Sequence, residues 1–110
     1  MIKNRYILSI DQGTTSSRAI IFDLNGEILA QKNFEFKQYF PKNGWVEHDP
    51  KEILETTTHA INHVIAESRI KATEICTAGI TNQRETVVAW DNSNGQPVYN
   101  AIVWQDRRTD

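Results

Sequence analysis

The sequence predicts an α/β fold in which a three-stranded antiparallel meander, one helix and a parallel strand build a mixed sheet, followed by a further hairpin. Three observations predict it. Apolar runs at 6–10, 18–23 and 28–36 are separated by short turn-forming segments and not by helix-length ones. Residues 50–65 carry apolar side chains at helical spacing behind a clear start signal. A further apolar run, 75–80, follows that helix, and strands joined through a helix are usually parallel.

Tyr6–Ile10 reads as the first strand and Arg18–Asp23 as the second. Leu24-Asn25-Gly26-Glu27 supplies an Asn-Gly turn, the strongest short-range hairpin signal. By the period of two, Ile28, Ala30, Phe34 and Phe36 share one face of the third strand, and Lys32, interrupting that face, marks an edge. Residues 37–49 read as loop, with Pro41 and Gly44. Asp49 is then a helix N-cap, Pro50 takes the first helical position and Glu52 completes a capping box. Ile53, Leu54, Thr57, Ile61, Val64 and Ile65 form the stripe that packs on the sheet. In the fourth strand Cys76 reads as a small core residue. Thr86–Trp90 and Val98–Trp104 pair around 91–96 as the last hairpin, and Asp106-Arg107-Arg108 is expected to face solvent. Trp45, Trp90 and Trp104 read as core or interface residues, Trp104 also as a wall for a small ligand. The pattern is half of an architecture and not a self-contained one.

Composition narrows the function. A net charge of −2 over 110 residues lacks the basic footprint of a nucleic-acid binder. The single cysteine cannot form an internal disulfide, no signal peptide is evident, and no run reaches the length of a membrane span. A cytoplasmic setting is expected.

Two stretches carry chemistry. In Asp11-Gln12-Gly13-Thr14-Thr15-Ser16-Ser17-Arg18, a tight turn between two strands gathers backbone N–H groups into an anion-binding concavity. Gly13 permits close approach and positive φ, while the hydroxyls of Thr14, Thr15, Ser16 and Ser17 add donors to a common open space. Arg18 offers a planar fork to phosphate oxygens, and Asp11 makes sense beside phosphate if magnesium, through its waters, lies between them. The stretch is not a P-loop, and the bland alternative is a solvated Ser/Thr-rich turn. The second stretch, Thr81-Asn82-Gln83-Arg84-Glu85-Thr86, lies at the carboxyl end of the parallel strand, where open α/β sheets place ligands. Glu85 accepting from hydroxyls, Arg84 donating to their oxygens and Gln83 as a further contact suit a small polyol; a solvated charge pair is the alternative. His59 and His63 are spaced as a zinc pair would be. They lie opposite the apolar stripe, with Ala60 replacing the glutamate of H-E-x-x-H and no third ligand, and read as a solvated face.

Residues 11–18, Gly44–Pro50, Gly79–Thr86 and Tyr99–Gln105 together resemble the FGGY family of carbohydrate kinases, from about Tyr6 to Thr109. The Asn-Gln-Arg-Glu-Thr stretch is similar to the members that act on glycerol. The resemblance implies a ribonuclease H-like, actin-like ATPase domain and ATP- and magnesium-dependent phosphorylation of glycerol to sn-glycerol 3-phosphate. It implies that Thr14, Thr15 and Ser16 bind nucleotide phosphates, with Gly13 in the same turn. Arg18 steadies that charge and Asp11 holds the magnesium shell. Arg84 and Glu85 grip the glycerol hydroxyls, and Trp104 packs on its carbon face. It also implies that residues 1–110 are the opening part of the first of two domains. The rest of that domain, the C-terminal domain, the adenine pocket and the catalytic aspartate would all lie outside them, so no catalytic residue is expected here. An FGGY kinase for a pentulose or sugar acid is one alternative. A non-kinase actin-like nucleotide-binding module is another, which leaves residues 81–85 unexplained. The parent is expected to form a homo-oligomer. The isolated chain is expected to fold, to self-associate through exposed sheet and to transfer no phosphate.

Overall fold

The computed structural model describes residues 5–110. Strands β1 (Tyr6–Gln12), β2 (Ser16–Asp23) and β3 (Ile28–Glu35) form the meander, α1 (Pro50–Ser68) follows, and β6 (Ile75–Thr81) returns beside β1. The sheet order is β3-β2-β1-β6, antiparallel throughout the meander and parallel between β1 and β6. The Asn-Gly turn is built as expected: Gly26 takes φ +83°, and the Asp23 carboxylate accepts from the Asn25 and Glu27 N–H groups.

The core lies between α1 and one face of β1–β3, made by Leu8, Ile10, Ala19, Ile21, Ala30, Ala60 and Val64. The helix stripe is narrower than the sequence pattern. Its centre is Ala60 and Val64, whereas Leu54 is 68 % exposed. The small side chain at 60 lets the helix approach the sheet closely. Asp49 caps the helix by accepting from the Lys51 N–H, but the capping box is not made. Glu52 accepts instead from the Lys37 N–H and the Tyr39 hydroxyl, which pushes the Tyr39 pKa up to about 12. In β3 the register slips between Ile21–Ala30 and Phe22–Ile28; the extra residue turns Ile28 to the other face, where it is half exposed. Lys32 does lie on an edge strand, its ammonium 5.2 Å from the Phe34 ring centroid.

The expected loop at 37–49 contains two short strands, β4 (Gln38–Tyr39) and β5 (Glu47–His48), which form a second sheet with β7 (Ala101–Ile102) in the order β4-β5-β7. The last hairpin exists, held by bridges at Val87–Ile102 and Trp90–Pro97 and not by continuous strands. Cys76 and Ile80 are exposed, against the expectation of a buried strand, because α1 packs on β1–β3 and leaves β6 uncovered among the described residues. Trp90 is likewise exposed, so it is not core among these residues.

Candidate active site

β1 and β2 are joined by the three residues 13–15, closed by a hydrogen bond from the Gly13 N–H to the Ser16 carbonyl at 2.9 Å. Gly13 is not at positive φ; what requires glycine is proximity, since a Cβ there would stand 3.1 Å from that carbonyl. The hydroxyls do not share one space. Ser16 and Ser17 occupy successive positions of a strand and point to opposite faces. Ser17 is fully buried against the helix, bonded to Thr56 at 2.8 Å and to Gln12 Oε1 at 3.0 Å. Ser16 instead lines a cleft with Asp11, Gly13, Arg18, Gln31, Lys32 and Asn33, whereas Thr14 lines an adjoining one and Thr15 is exposed at the tip.

The adjoining cleft, of 440 Å³, unites the two stretches singled out above. Asp11, Gln12, Gly13 and Thr14 form one wall; Asn82, Gln83, Arg84, Glu85 and Trp104 form the other. The parallel pairing of β1 with β6, which sets Asp11 beside Thr81, delivers both stretches to the same end of the sheet. Trp104 reaches across to donate from Nε1 to Thr14 Oγ1 at 3.3 Å. Glu85 holds a left-handed backbone, φ 55°, uncommon for a residue with a side chain and often associated with functional sites. Gln12 lies at the cleft wall with its Nε2 buried and unpartnered among the described residues.

Arg18 is paired: its guanidinium bonds the Asp11 carboxylate at 3.0 Å, with both side chains partly exposed, 46 % and 38 %. Gln83 is more committed than its sequence position suggests. Its amide nitrogen donates to the Gly13 carbonyl at 3.3 Å and bonds His48 Nδ1 at 3.2 Å, while its oxygen accepts from Thr86 at 3.0 Å.

Behind the cleft stands a buried ion cluster that corrects the solvent-facing reading of Asp106-Arg107-Arg108. Arg107 is exposed, but Arg108 bonds Asp106 at 2.7 Å and Glu47 at 2.8 Å, with only 3 % of each carboxylate side chain accessible. Glu47 also accepts from the Tyr99 hydroxyl and the Asn100 amide, and Asp106 from the Val46 N–H. The Arg108 guanidinium stacks 3.8 Å from the centroid of Trp45. Burial pushes the Glu47 carboxyl up, but hydrogen bonds from Arg108, Tyr99 and Asn100 outweigh it and hold it below its ordinary range. Asp106 is lowered by Arg108, and Arg108 is raised by Asp106 and Glu47. Nothing in the local pattern marks Glu47 and Arg108 as partners, since 61 residues separate them. His59 and His63 make T-shaped ring contacts with Phe34, at 6.1 and 6.4 Å between centroids.

The chain is 62 % identical over 96 % of its length to the glycerol kinase of Petrotoga mobilis, of which it spans 21 %. Its fold superposes with a TM-score of 0.83 on the Plasmodium falciparum glycerol kinase crystallised with ADP, at 41 % identity over 94 % of this chain and 21 % of that one. The gluconate kinase of Lactobacillus acidophilus superposes equally well, TM-score 0.82, but at 25 % identity over 92 % of this chain and 20 % of that one. The chain thus spans about a fifth of the length of the relatives it matches. The sequence profile of the N-terminal domain of the FGGY carbohydrate kinases matches residues 6–110, and the chain belongs to that family.

Proposed function

We propose that this chain is the opening part of the first domain of an enzyme that transfers the γ-phosphoryl group of ATP to a terminal hydroxyl of glycerol, giving sn-glycerol 3-phosphate. The observation that carries the reading is the single cleft in which Asp11, Gly13 and Thr14 face Arg84, Glu85 and Trp104. Phosphoryl transfer asks chiefly for positioning and charge neutralisation, and this arrangement supplies part of both. Thr14 and the turn's N–H groups other than that of Gly13, which bonds the Ser16 carbonyl, serve phosphate oxygens, with Thr15, Ser16 and Arg18 at the same turn. Glu85 accepts from two hydroxyls of the polyol and Arg84 donates to their oxygens. The indole of Trp104 covers the carbon chain. Gln83, its N–H groups committed, shapes the wall between them. The catalytic base and the opposite wall belong to the remainder of a protein of the relatives' length.

Magnesium fits the donors present. Among the described residues no group of three acidic, histidine or cysteine side chains is assembled to cage a metal. Magnesium is commonly bound by one carboxylate, its own waters and substrate phosphates, and Asp11 is a partly exposed carboxylate at the turn. When bound it neutralises phosphate charge; Asp11 would hold its hydration shell while Arg18 holds Asp11 in place. Among the described residues no helix is long and apolar enough to cross a membrane, and the proposed use of ATP supports a cytoplasmic setting for the reaction. One edge of the larger sheet, β6, is unpaired among the described residues and is a template for self-association of the isolated chain.

Equal fold similarity to kinases of two substrates makes the fold silent on the acceptor. Greater sequence identity to the glycerol kinases, with Arg84 and Glu85 in the cleft, supports glycerol over a sugar acid. In the whole protein, Glu85→Ala removes a charged hydrogen-bond partner worth about 1.5–3 kcal/mol. It should lower kcat/KM for glycerol by roughly 10- to 100-fold, with KM for ATP unchanged. Unchanged glycerol kinetics, or faster wild-type turnover of a pentulose or gluconate than of glycerol, would overturn the assignment.

A further inference from the structure

We propose that His48 is a positioning residue that fixes the separation between the 13–14 turn and the 82–85 loop, acting through Gln83; this rests on the phosphoryl-transfer reading above. His48 is fully buried on the two-residue strand β5, with the Phe36 ring 4.9 Å away in an edge contact. Its two ring nitrogens do not bond backbone, as a histidine that only fills a core commonly does. Each bonds a glutamine amide that in turn grips the turn. Gln83 Nε2 donates to the Gly13 carbonyl and meets His48 Nδ1; Gln38 Nε2 donates to the Thr14 carbonyl at 3.2 Å while its Oε1 meets His48 Nε2.

The carbonyls fix the whole network. A carbonyl only accepts, so both glutamines must turn their NH2 groups toward 13 and 14. Gln83 then has N–H to offer Nδ1, which must accept. Gln38 has only its oxygen left for Nε2, which must carry the hydrogen. One tautomer, neutral and protonated on Nε2, satisfies every group. A proton added at Nδ1 would face the Gln83 N–H, and burial already disfavours the cation. The two arms differ in reach. Of the two halves of the cleft Gln38 bonds only the turn, whereas Gln83 lies between the turn and Arg84-Glu85 and spans both.

That difference gives the test. An asparagine places its amide where Nδ1 stood and keeps the Gln83 arm; a glutamine places its amide where Nε2 stood and keeps the Gln38 arm. In the whole protein, His48→Gln and His48→Ala should lower kcat for glycerol phosphorylation by about 10²-fold, the cost of misplacing reactants by around an ångström. The Kd for ADP, measured by calorimetry, should stay at the wild-type value in His48→Gln, which keeps the Gln38 arm on the turn, and His48→Asn should restore most of kcat. A purely structural role would lower the active fraction alike in all three variants, so a common loss in His48→Asn and His48→Gln overturns the proposal, as does wild-type kcat in His48→Gln. Nitrogen-15 spectra of the histidine-labelled whole protein supply a readout independent of turnover. The resonance missing from His48→Gln should show Nε2–H with an unprotonated Nδ1, and the opposite tautomer overturns the bracket. Wild-type protein that leaves glycerol unphosphorylated while showing the expected tautomer would sink the functional reading alone.

Discussion

Between β1–β3 with α1, and β4, β5 and β7 with residues 82–108, the buried groups change character. The first region is held chiefly by Leu8, Ile10, Ala19, Ile21, Ala30, Ala60 and Val64, whose burial is favourable in any orientation, with Ser17 the one buried polar residue there among the described residues. The second also buries Val46, Ala101 and Val103, but it encloses Glu47 and His48 side by side on one short strand, each with its own set of hydrogen-bond partners. Apolar packing sets how closely elements approach. Hydrogen bonds and ion pairs also set direction and length. The candidate site straddles the seam, with Asp11 to Thr14 on the apolar side and Gln83 to Glu85 and Trp104 on the polar side. Its internal distances therefore depend on the directional half.

The sharpest way to break the comparison is to remove one member of the buried ion cluster. Glu47→Ala leaves Arg108 with a single carboxylate in a place with little water and strips Tyr99 and Asn100 of an acceptor. Breaking a buried pair from one side costs about 3–5 kcal/mol. Urea denaturation should show that loss as a lower midpoint. Because Asp106, held by Arg108, also accepts from the Val46 N–H, the environment of Trp104 two residues before it should change as well, which its fluorescence can report. A midpoint within experimental error of wild type would mean that the second region does not depend on the cluster.

In the apolar region the same kind of test reads differently along a single helix. Val64 is fully buried and Leu54 is 68 % exposed. Val64→Ala deletes two methyl-sized groups and should cost about 2 kcal/mol from lost transfer energy and the cavity left behind. Leu54→Ala, the larger deletion, should change stability by less than about 0.5 kcal/mol. Equal losses would show that the helix stripe extends to Leu54, as its spacing alone suggests.

These pairs also locate what was legible in the sequence. The apolar runs of β1 to β3, the Asn-Gly turn and the Asp49-Pro50 start of α1 are local signals, decided by neighbours within a few positions, and each was readable, whereas the alternation of β3 failed at Ile28, which the bulge turns over. Sidedness was not always so, because burial depends on what lies above a residue. The run 75–80 is apolar enough for a core strand, yet α1 packs on β1–β3, and Cys76 and Ile80 stay exposed. The two-residue strands β4 and β5 have no periodicity to detect. Arg108 reads as a surface charge until its partner, 61 positions earlier, is known. In the site, the residue types of both stretches were readable, and their meeting in one cleft follows from parallel pairing. The bracket behind them was not, since two glutamines and a histidine at 38, 48 and 83 form no motif.

The smallest expected effect separates the two buried polar residues of β5 by pH. His48 has its pKa lowered by burial, with the carboxylate of Glu52 pulling the other way. A histidine lowered in the folded state binds fewer protons than in the unfolded chain. Stability is therefore highest above its ordinary value of 6.5 and declines as pH falls below it. Glu47 and Asp106 are lowered too, but for a carboxyl the loss begins only near the ordinary values of 4.5 and 3.8 and grows as pH falls toward the folded-state pKa. Between pH 6.5 and 4.5 the slope of stability against pH should thus carry the His48 contribution alone among these three groups. His48→Asn, which cannot titrate, should flatten that segment and leave the steeper acid limb in place. Glu47→Gln should do the reverse, retaining the gentle upper slope and weakening the lower one. A variant that alters both segments equally would mean that the two sides of β5 act as one network and not as two.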